Sequence, residues 1–423
     1  MNLIKKLINN NFFLYFAIIF SFIILNYFYY YLFIQKYPNY IDQYGNLIIS
    51  ELTHSYADIV KNLLTNKGYH SNFFDVEIDF FVGRLPFIPY FLYFIYNFFS
   101  KKYLTIILVK NILLFSMVLF LIKKIIKDNF LTIILISLIL AIPFNTQTLL
   151  MIVPEEGYIT YFIISLFIVF MSDLKYRIYI ISLLLAFLFF IKGSLCFFIY
   201  IIVFYLLIIE KKKTPFIAIF LCYILWSSYA FIKTNKIISP ISLVSIGGIT
   251  LSSVNNDKFN STYPYISPDT LYPYILDKHR EEYKKFNNEF EIDKYFKNYV
   301  KNYIKDNKKE FMLSFLKKLK IIFFNIRKDS KLVTDEDYKK IRYSNIFNLI
   351  FLYFAVFIFA KKIFEKNLGK KEIFLLLFFM SYFFPFFVGM VYTRHVVPFY
   401  QILIIYVFFE FFKPKIHRII NKF

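Results

Sequence analysis

The sequence predicts an all-α polytopic membrane protein with about ten transmembrane helices, helices lying along the outer membrane surface, and a small external cap. Three observations carry that expectation. Hydrophobic residues make up 59% of the 423, among them 59 Phe and 37 Tyr, more apolar surface than a soluble domain of this size buries. These residues fall into blocks of about 16 to 24, long enough to cross a hydrocarbon core of roughly 30 Å. Short basic loops separate the blocks, in the pattern of positively charged cytoplasmic loops.

The chain opens on "MNLIKKLINNN", which is basic and runs without a small-residue cleavage site into an apolar stretch over 12–34. It reads as a retained first span. The stretch "GRLPFIPYFLYFIYNFF" at 83–99 decides the sidedness of everything after it. If it crossed, Lys123, Lys124 and Lys127, the "EKKK" at 210–213 and the "KKIFEKNLGKK" at 361–371 would all face outward, against the positive-inside rule. Read as a juxtamembrane helix on the outer face, opened by Pro86 and Pro89, it restores every basic loop to the cytoplasm. The spans are then about 12–34, 103–122, 130–150, 157–172, 176–191, 194–209, 215–233, 344–360, 372–391 and 396–412.

This arrangement divides the chain into an N-terminal membrane module over 1–233 with an outer loop at 35–102, an external cap at 234–343, and C-terminal membrane helices over 344–423. The formal charge of +22 fits anchoring to anionic headgroups. It excludes nucleic acid as a partner, because the basic residues flank spans and form no soluble patch. Cys196 and Cys222 lie in apolar runs and carry no redox or metal signal.

The outward segments hold the charges that are not simple anchors. Loop 35–102 carries Asp42, Glu51, Asp58 and Arg84, and "DVEID" at 75–79 sets Asp75, Glu77 and Asp79 on one side if extended. Such a trio is either solvated or a divalent-cation site. "ISELTHSYADIVKNLLTN" spaces Leu52, Tyr56, Ile59 and Leu63 as an amphipathic surface helix, with Gly68 as its stop. Glu155 and Glu156 follow Pro154 in a short outer loop, an expensive place for two carboxylates unless they are solvated or employed. Lys110 and Lys192, near the outer ends of their spans, either snorkel to headgroups or bind a lipid phosphate. In the cap, "SPISLVSIGGITLSSVNN" reads as a loop docked on the membrane. "IDKYFKNYVKNYIKDNKKEFMLSFLKKLKIIFFNI" reads as one long basic amphipathic helix. "YTRHVVPFY" at 392–400 places Arg394 and His395 between the last two spans, as interfacial anchors or as phosphate-binding cations.

The order of these segments resembles a known family. "YADIVKNLLTNKGY" at 56–69 and "GRLPFIPYFL" at 83–92 are similar to motifs of the GT-C fold glycosyltransferases that use polyprenyl-phosphate sugars, such as protein O-mannosyltransferases and bacterial lipid A aminoarabinose transferases. "VPEEGYITYFIIS", "FIKGSLCF", "LVSIGGITL", "DNKKEFMLSFLKKL" and "YTRHVVPF" resemble later family segments in order. The chain departs at one point: the family's Asp four residues before the motif Tyr is Leu52 here, with Glu51 and Asp42 nearby.

The resemblance implies a GT-C-like fold and a site at the outer face of a bacterial cytoplasmic (inner) membrane. It implies inverting transfer of a sugar from a polyprenyl-phosphate donor to a glycan, lipid or protein acceptor. Glu51 or Asp42 would be the catalytic base. Arg84, Lys192 and Arg394 would clamp the phosphate, with Tyr56, Asp58 and His395 in the substrate site, and Glu155 or Glu156 would orient sugar or acceptor. No cofactor is required, a divalent cation being compatible but not obligatory. Two other readings fit the composition: an O-antigen-type polymerase, and a non-catalytic membrane protein of glycan assembly. A transporter would show internal repeats and discontinuous spans, and the sequence displays neither.

Overall fold

A computed structural model of the chain describes residues 11–51, 54–72, 78–151, 155–262, 271–324, 335–389 and 393–420. The protein is an all-α polytopic membrane protein. Among the described residues, six stretches are long and apolar enough to cross a bilayer, or seven if the bent pair Asn129–Leu140 with Pro143–Leu150 is one span: Phe13–Gln35, Tyr103–Ile125, Thr214–Thr234, Tyr343–Phe364, Lys370–Val388 and Arg394–Ile416.

The first of these belongs to α1 (Asn11–Lys36), which leaves Phe16, Phe20, Tyr27 and Phe28 exposed. After a turn, α2 (His54–Leu64) buries Tyr56, Ile59 and Val60 and ends at Asn66, whose φ of 57° closes the helix. Asn thus supplies the left-handed stop two residues before the expected Gly68. A two-residue ribbon, β1 (Ser71–Asn72) with β2 (Asp79–Phe80), pairs Ser71 with Phe80 and Asn72 with Asp79. Asp75 and Glu77 of the acidic trio lie outside the described residues. Helix α3 (Phe87–Phe98) has 12 residues, or about 18 Å, too short for the hydrocarbon core.

The span expected over 130–150 is broken. After α4 (Tyr103–Ile125), α5 (Asn129–Leu140) starts on an Asp128 cap that accepts from the Leu131 N–H at 2.8 Å. It then turns by 88° into α6 (Pro143–Leu150). Pro143 has no N–H to donate and its ring opposes a continuing helix. A bent helix pair, a broken span or a re-entrant loop, therefore stands where the sequence predicted one continuous span.

Helix α7 (Glu156–Phe170) follows, and all 15 of its residues are buried. A helix apolar on every face belongs at the centre, and α7 is wrapped by α4, α6, α8 (Arg177–Ile191), α18 (Lys370–Tyr382) and α20 (Val397–Val407). Between these lie α9 (Cys196–Ile208) and α10 (Thr214–Thr234).

The cap comprises α11 (Gly247–Ser252), α12 (Asp257–Thr262), α13 (Leu271–Lys278), α14 (Arg280–Tyr283), α15 (Glu289–Asp306) and α16 (Lys308–Phe324). It has its own small core of Ile246, Ile249, Ile275, Ile292 and Phe296, completed by Phe80 from β2. Helices α11 and α15 approach so closely that a Cβ on Gly248 would lie 2.3 Å from the Asp293 carbonyl oxygen. The single long helix expected here is instead two, because Asn307 ends α15 by donating its backbone and side-chain N–H groups to the Tyr303 carbonyl. The chain closes with α17 (Asp335–Phe364), α18, α19 (Phe384–Val388), α20, a π-helical turn at Phe408–Phe412, and α21 (Lys413–Ile420).

Candidate functional site

The site gathers at one end of the central helix. Glu155 and Glu156 stand at the start of α7, where exposed N–H groups and the helix dipole favour negative charge. Lys192 directly follows the last residue of α8, where the dipole favours a cation. Arg84 lies in the turn before α3. Arg394 and His395 lie in the 3-10 turn Thr393–Val396 that leads into α20. Tyr56 reaches in from α2.

These side chains form one connected cluster. Glu155 Oε1 accepts the Tyr56 hydroxyl at 2.5 Å and lies 3.5 Å from Arg84 Nη1. The Arg84 guanidinium also sits 5.2 Å from the centre of the Tyr56 ring, a cation–π contact. Lys192 Nζ bridges the pair, 2.6 Å from Glu156 Oε1 and 3.8 Å from Glu155 Oε2. His395 Nε2 is 3.1 Å from Glu156 Oε1. Arg394 Nε lies 3.3 Å from Glu156 Oε2, an ion pair without hydrogen-bond alignment. Behind them the His395 ring stacks on Phe386 at 4.2 Å, and the Tyr382 hydroxyl donates to the His395 carbonyl at 3.0 Å.

Burial is layered. The Glu156 side chain is 0% exposed and that of Glu155 9%, whereas Lys192 is 19%, Arg84 31% and Arg394 35% exposed. The carboxylates thus form a floor and the cations the accessible rim. Among the described residues, Arg84, Lys192 and Arg394 stand against Glu155 and Glu156. The arrangement can bind an anionic group through N–H edges already oriented by the carboxylates below.

Seven sequence-selected residues therefore meet: Tyr56, Arg84, Glu155, Glu156, Lys192, Arg394 and His395. Three do not enter the described cluster. Asp42 is engaged in its own turn, accepting from the Tyr44 and Asn46 N–H groups at 2.8 Å each and from the Asn46 side chain at 2.9 Å. The Asn46 side chain, then the backbone donors, hold its carboxyl below the usual range. Glu51 closes the 3-10 turn Ile49–Glu51, and its side chain lies outside the described residues. Asp58, half-buried, is two positions beyond Tyr56 on α2, on a different side of the helix.

Lys110 corrects the expectation that it snorkels or binds lipid. It is fully buried, and its ammonium donates to the Leu149 and Met151 carbonyls at 2.6 Å each. Sequence reading missed Tyr382 and Phe386, which lie in an aromatic-rich run with nothing to set them apart. Among the described residues no group of three or more His, Cys, Asp or Glu is placed to hold a metal ion. Asp79 lies 3.9 Å from His70.

No family model, curated protein or solved structure matches this chain.

Proposed function

We propose that the protein is a membrane glycosyltransferase that moves a sugar from a polyprenyl-phosphate carrier to an acceptor at the outer face of the cytoplasmic membrane, on a GT-C-like fold. The observation that carries this reading is the convergence of Arg84, Lys192 and Arg394, from three distant parts of the chain, over the buried Glu155–Glu156 floor. A phosphate group seated on those cations would leave with its negative charge stabilised, and Arg suits bidentate contact with its oxygens.

The proposal includes the ten-span arrangement. Glu156–Phe170, Arg177–Ile191 and Gly193–Ile208 are shorter apolar helices, yet the first is enclosed by protein and need not match the lipid thickness. An open cavity of about 210 Å³, lined by Tyr69, Pro86, Tyr90, Phe190, Trp226 and Tyr229, lies beside Arg84, whose carbonyl accepts the Tyr69 hydroxyl at 2.9 Å. It offers ring faces to an isoprenoid tail.

In the reaction, an acceptor hydroxyl or amine attacks the anomeric carbon opposite the phosphate. The new glycosidic bond forms as the carbon–phosphate-oxygen bond breaks, the anomeric centre inverts, and a carboxylate takes the proton. Asp42 is engaged in its own turn, so this reading favours Glu155 or Glu51 as that carboxylate. Activity of Glu155→Gln and Glu51→Gln assigns it.

The test uses purified protein in vesicles with a polyprenyl-monophosphate-linked sugar. Release of polyprenyl phosphate by wild type, and its loss in Arg84→Ala and Arg394→Ala, is expected. Wild-type protein that neither binds nor consumes any such donor overturns the proposal.

A further inference from the structure

Two fully buried lysines lie outside the cluster, and each does the same thing. Lys110, on α4, donates to the Leu149 and Met151 carbonyls at the end of α6. Its neighbour Asn111 donates to the intervening Leu150 carbonyl at 3.0 Å and to Asn26 Oδ1 at 2.6 Å. Lys318, on α16, reaches the Phe387 and Val388 carbonyls at the end of α19, at 3.2 and 3.4 Å. Asn255 donates to the same Val388 carbonyl at 3.1 Å. Each of these two helix ends thus has its last carbonyls held by one lysine and one asparagine.

A buried ammonium is costly, and neither lysine is paired with a carboxylate among the described residues. What each obtains is the negative end of a helix whose last carbonyls have no helical partner and little water to replace one. The placement along the chain is the informative part. Four residues after Met151 comes Glu155, and six after Val388 comes Arg394. The first clamp also touches the site's own helix: a Cβ on Gly157 would lie 2.9 Å from Lys110 Nζ and 2.8 Å from the Thr148 carbonyl. The first turn of α7, which carries Glu156, therefore rests on the Lys110 ammonium.

We propose that Lys110 and Lys318 are positioning residues that fix the two halves of the anion site: Lys110 sets the carboxylate floor, and Lys318 sets the Arg394–His395 rim. The assignment builds on the anion-site reading above, but the device itself is read from hydrogen bonds alone.

The decisive measurement is backbone hydrogen exchange of the full chain in lipid nanodiscs, which requires no substrate. Lys110→Met is expected to speed exchange at least tenfold over 155–160, and Lys318→Met over 393–398, with 214–234 unchanged in both. Unchanged exchange in those windows, or a uniform rise that includes 214–234, overturns the proposal. If a methionine variant fails to fold, the corresponding Lys→Gln variant, which keeps a donor and loses the charge, is measured against the same criteria. Polyprenyl phosphate affinity of the same variants is expected to fall about tenfold, while Lys370→Met at the other membrane end keeps wild-type affinity. Wild-type protein that binds no polyprenyl phosphate removes the transferase reading, and the exchange pattern still decides the positioning role.

Discussion

The two ends of the central helices carry charge clusters built on opposite plans. At the end where α7 begins and α8 finishes, three cations rim two buried carboxylates. At the other end, Arg177 forms a two-pronged pair with Glu210 at 2.7 and 2.9 Å, Lys370 meets Asp173 at 2.8 Å, and Glu410 takes Lys362 at 3.0 Å together with Lys371. Glu372 there accepts the Gly369 N–H and the Tyr406 hydroxyl. Each of the four carboxylates there (Asp173, Glu210, Glu372, Glu410) has a cation or donor partner, and further cations stand close by, Lys413 beside Lys371 and Lys211, Lys212 and Lys213 directly after Glu210. The second cluster is built of partly exposed pairs at the loop ends of its helices. The first joins segments up to several hundred residues apart over a carboxylate that is 0% exposed. Partly exposed pairs anchor helix ends at little cost, whereas cations gathered over a fully buried carboxylate hold one fixed geometry.

The comparison breaks most visibly if the floor is removed. Glu156→Ala leaves Lys192 and Arg394 facing a void, and should cost about 3–5 kcal/mol of stability. Glu410→Ala at the opposite end, where the side chain is 13% rather than 0% exposed, should cost less, about 1 kcal/mol. Thermal unfolding of both variants in one detergent reads the contrast, and equal losses would erase the distinction drawn here.

Next in size is a pH effect in the cap. Glu289 ties the first loop to the cap, accepting from the Phe81 and Val82 N–H groups and from Ser245. Burial pushes its carboxyl up from 4.5 to about 7. The folded protein then holds a proton that the unfolded chain has lost, so stability is highest below about pH 4.5 and falls as pH rises through 7. The swing is on the order of 3 kcal/mol. Glu289→Gln should flatten the unfolding temperature between pH 5 and 8.

Rigidity of the cap is tested by Gly248→Ala. The added methyl must displace α15, at about 1–3 kcal/mol, with a visible fall in unfolding temperature. Smaller again, Arg84→Ala and Arg394→Ala should each weaken polyprenyl phosphate binding about tenfold, or about 1.4 kcal/mol. The smallest effect is that of Lys370→Ala, which removes one exposed inner pair and should change stability by less than about 1 kcal/mol.

Much of the architecture is legible without coordinates. The apolar blocks became helices, α2 appeared within a few residues of its expected place, and Phe87–Phe98 is short, in keeping with a helix that does not cross. The errors share a cause. The break at Pro143, the division at Asn307 and the stop at Asn66 each turn on a single residue: a missing N–H donor, a cap that donates to the Tyr303 carbonyl, and a left-handed φ. Site residues were legible where a charge stood out against an apolar background, as Glu155, Glu156, Lys192 and Arg394 did. Asp42 stood out for the same reason, yet its partners are its own neighbours. Lys110 likewise looked lipid-facing until its acceptors, about 40 positions away in the chain, were known.

The sequence by itself determined the solvent of this protein and the placement of its helices. Both follow from local quantities: the transfer cost of polar groups into hydrocarbon and the periodicity of side chains along a helix. Only the tertiary structure decided which charges meet. That depends on packing between segments far apart in the chain, and a buried ammonium or carboxylate has no role until the fold supplies its partner.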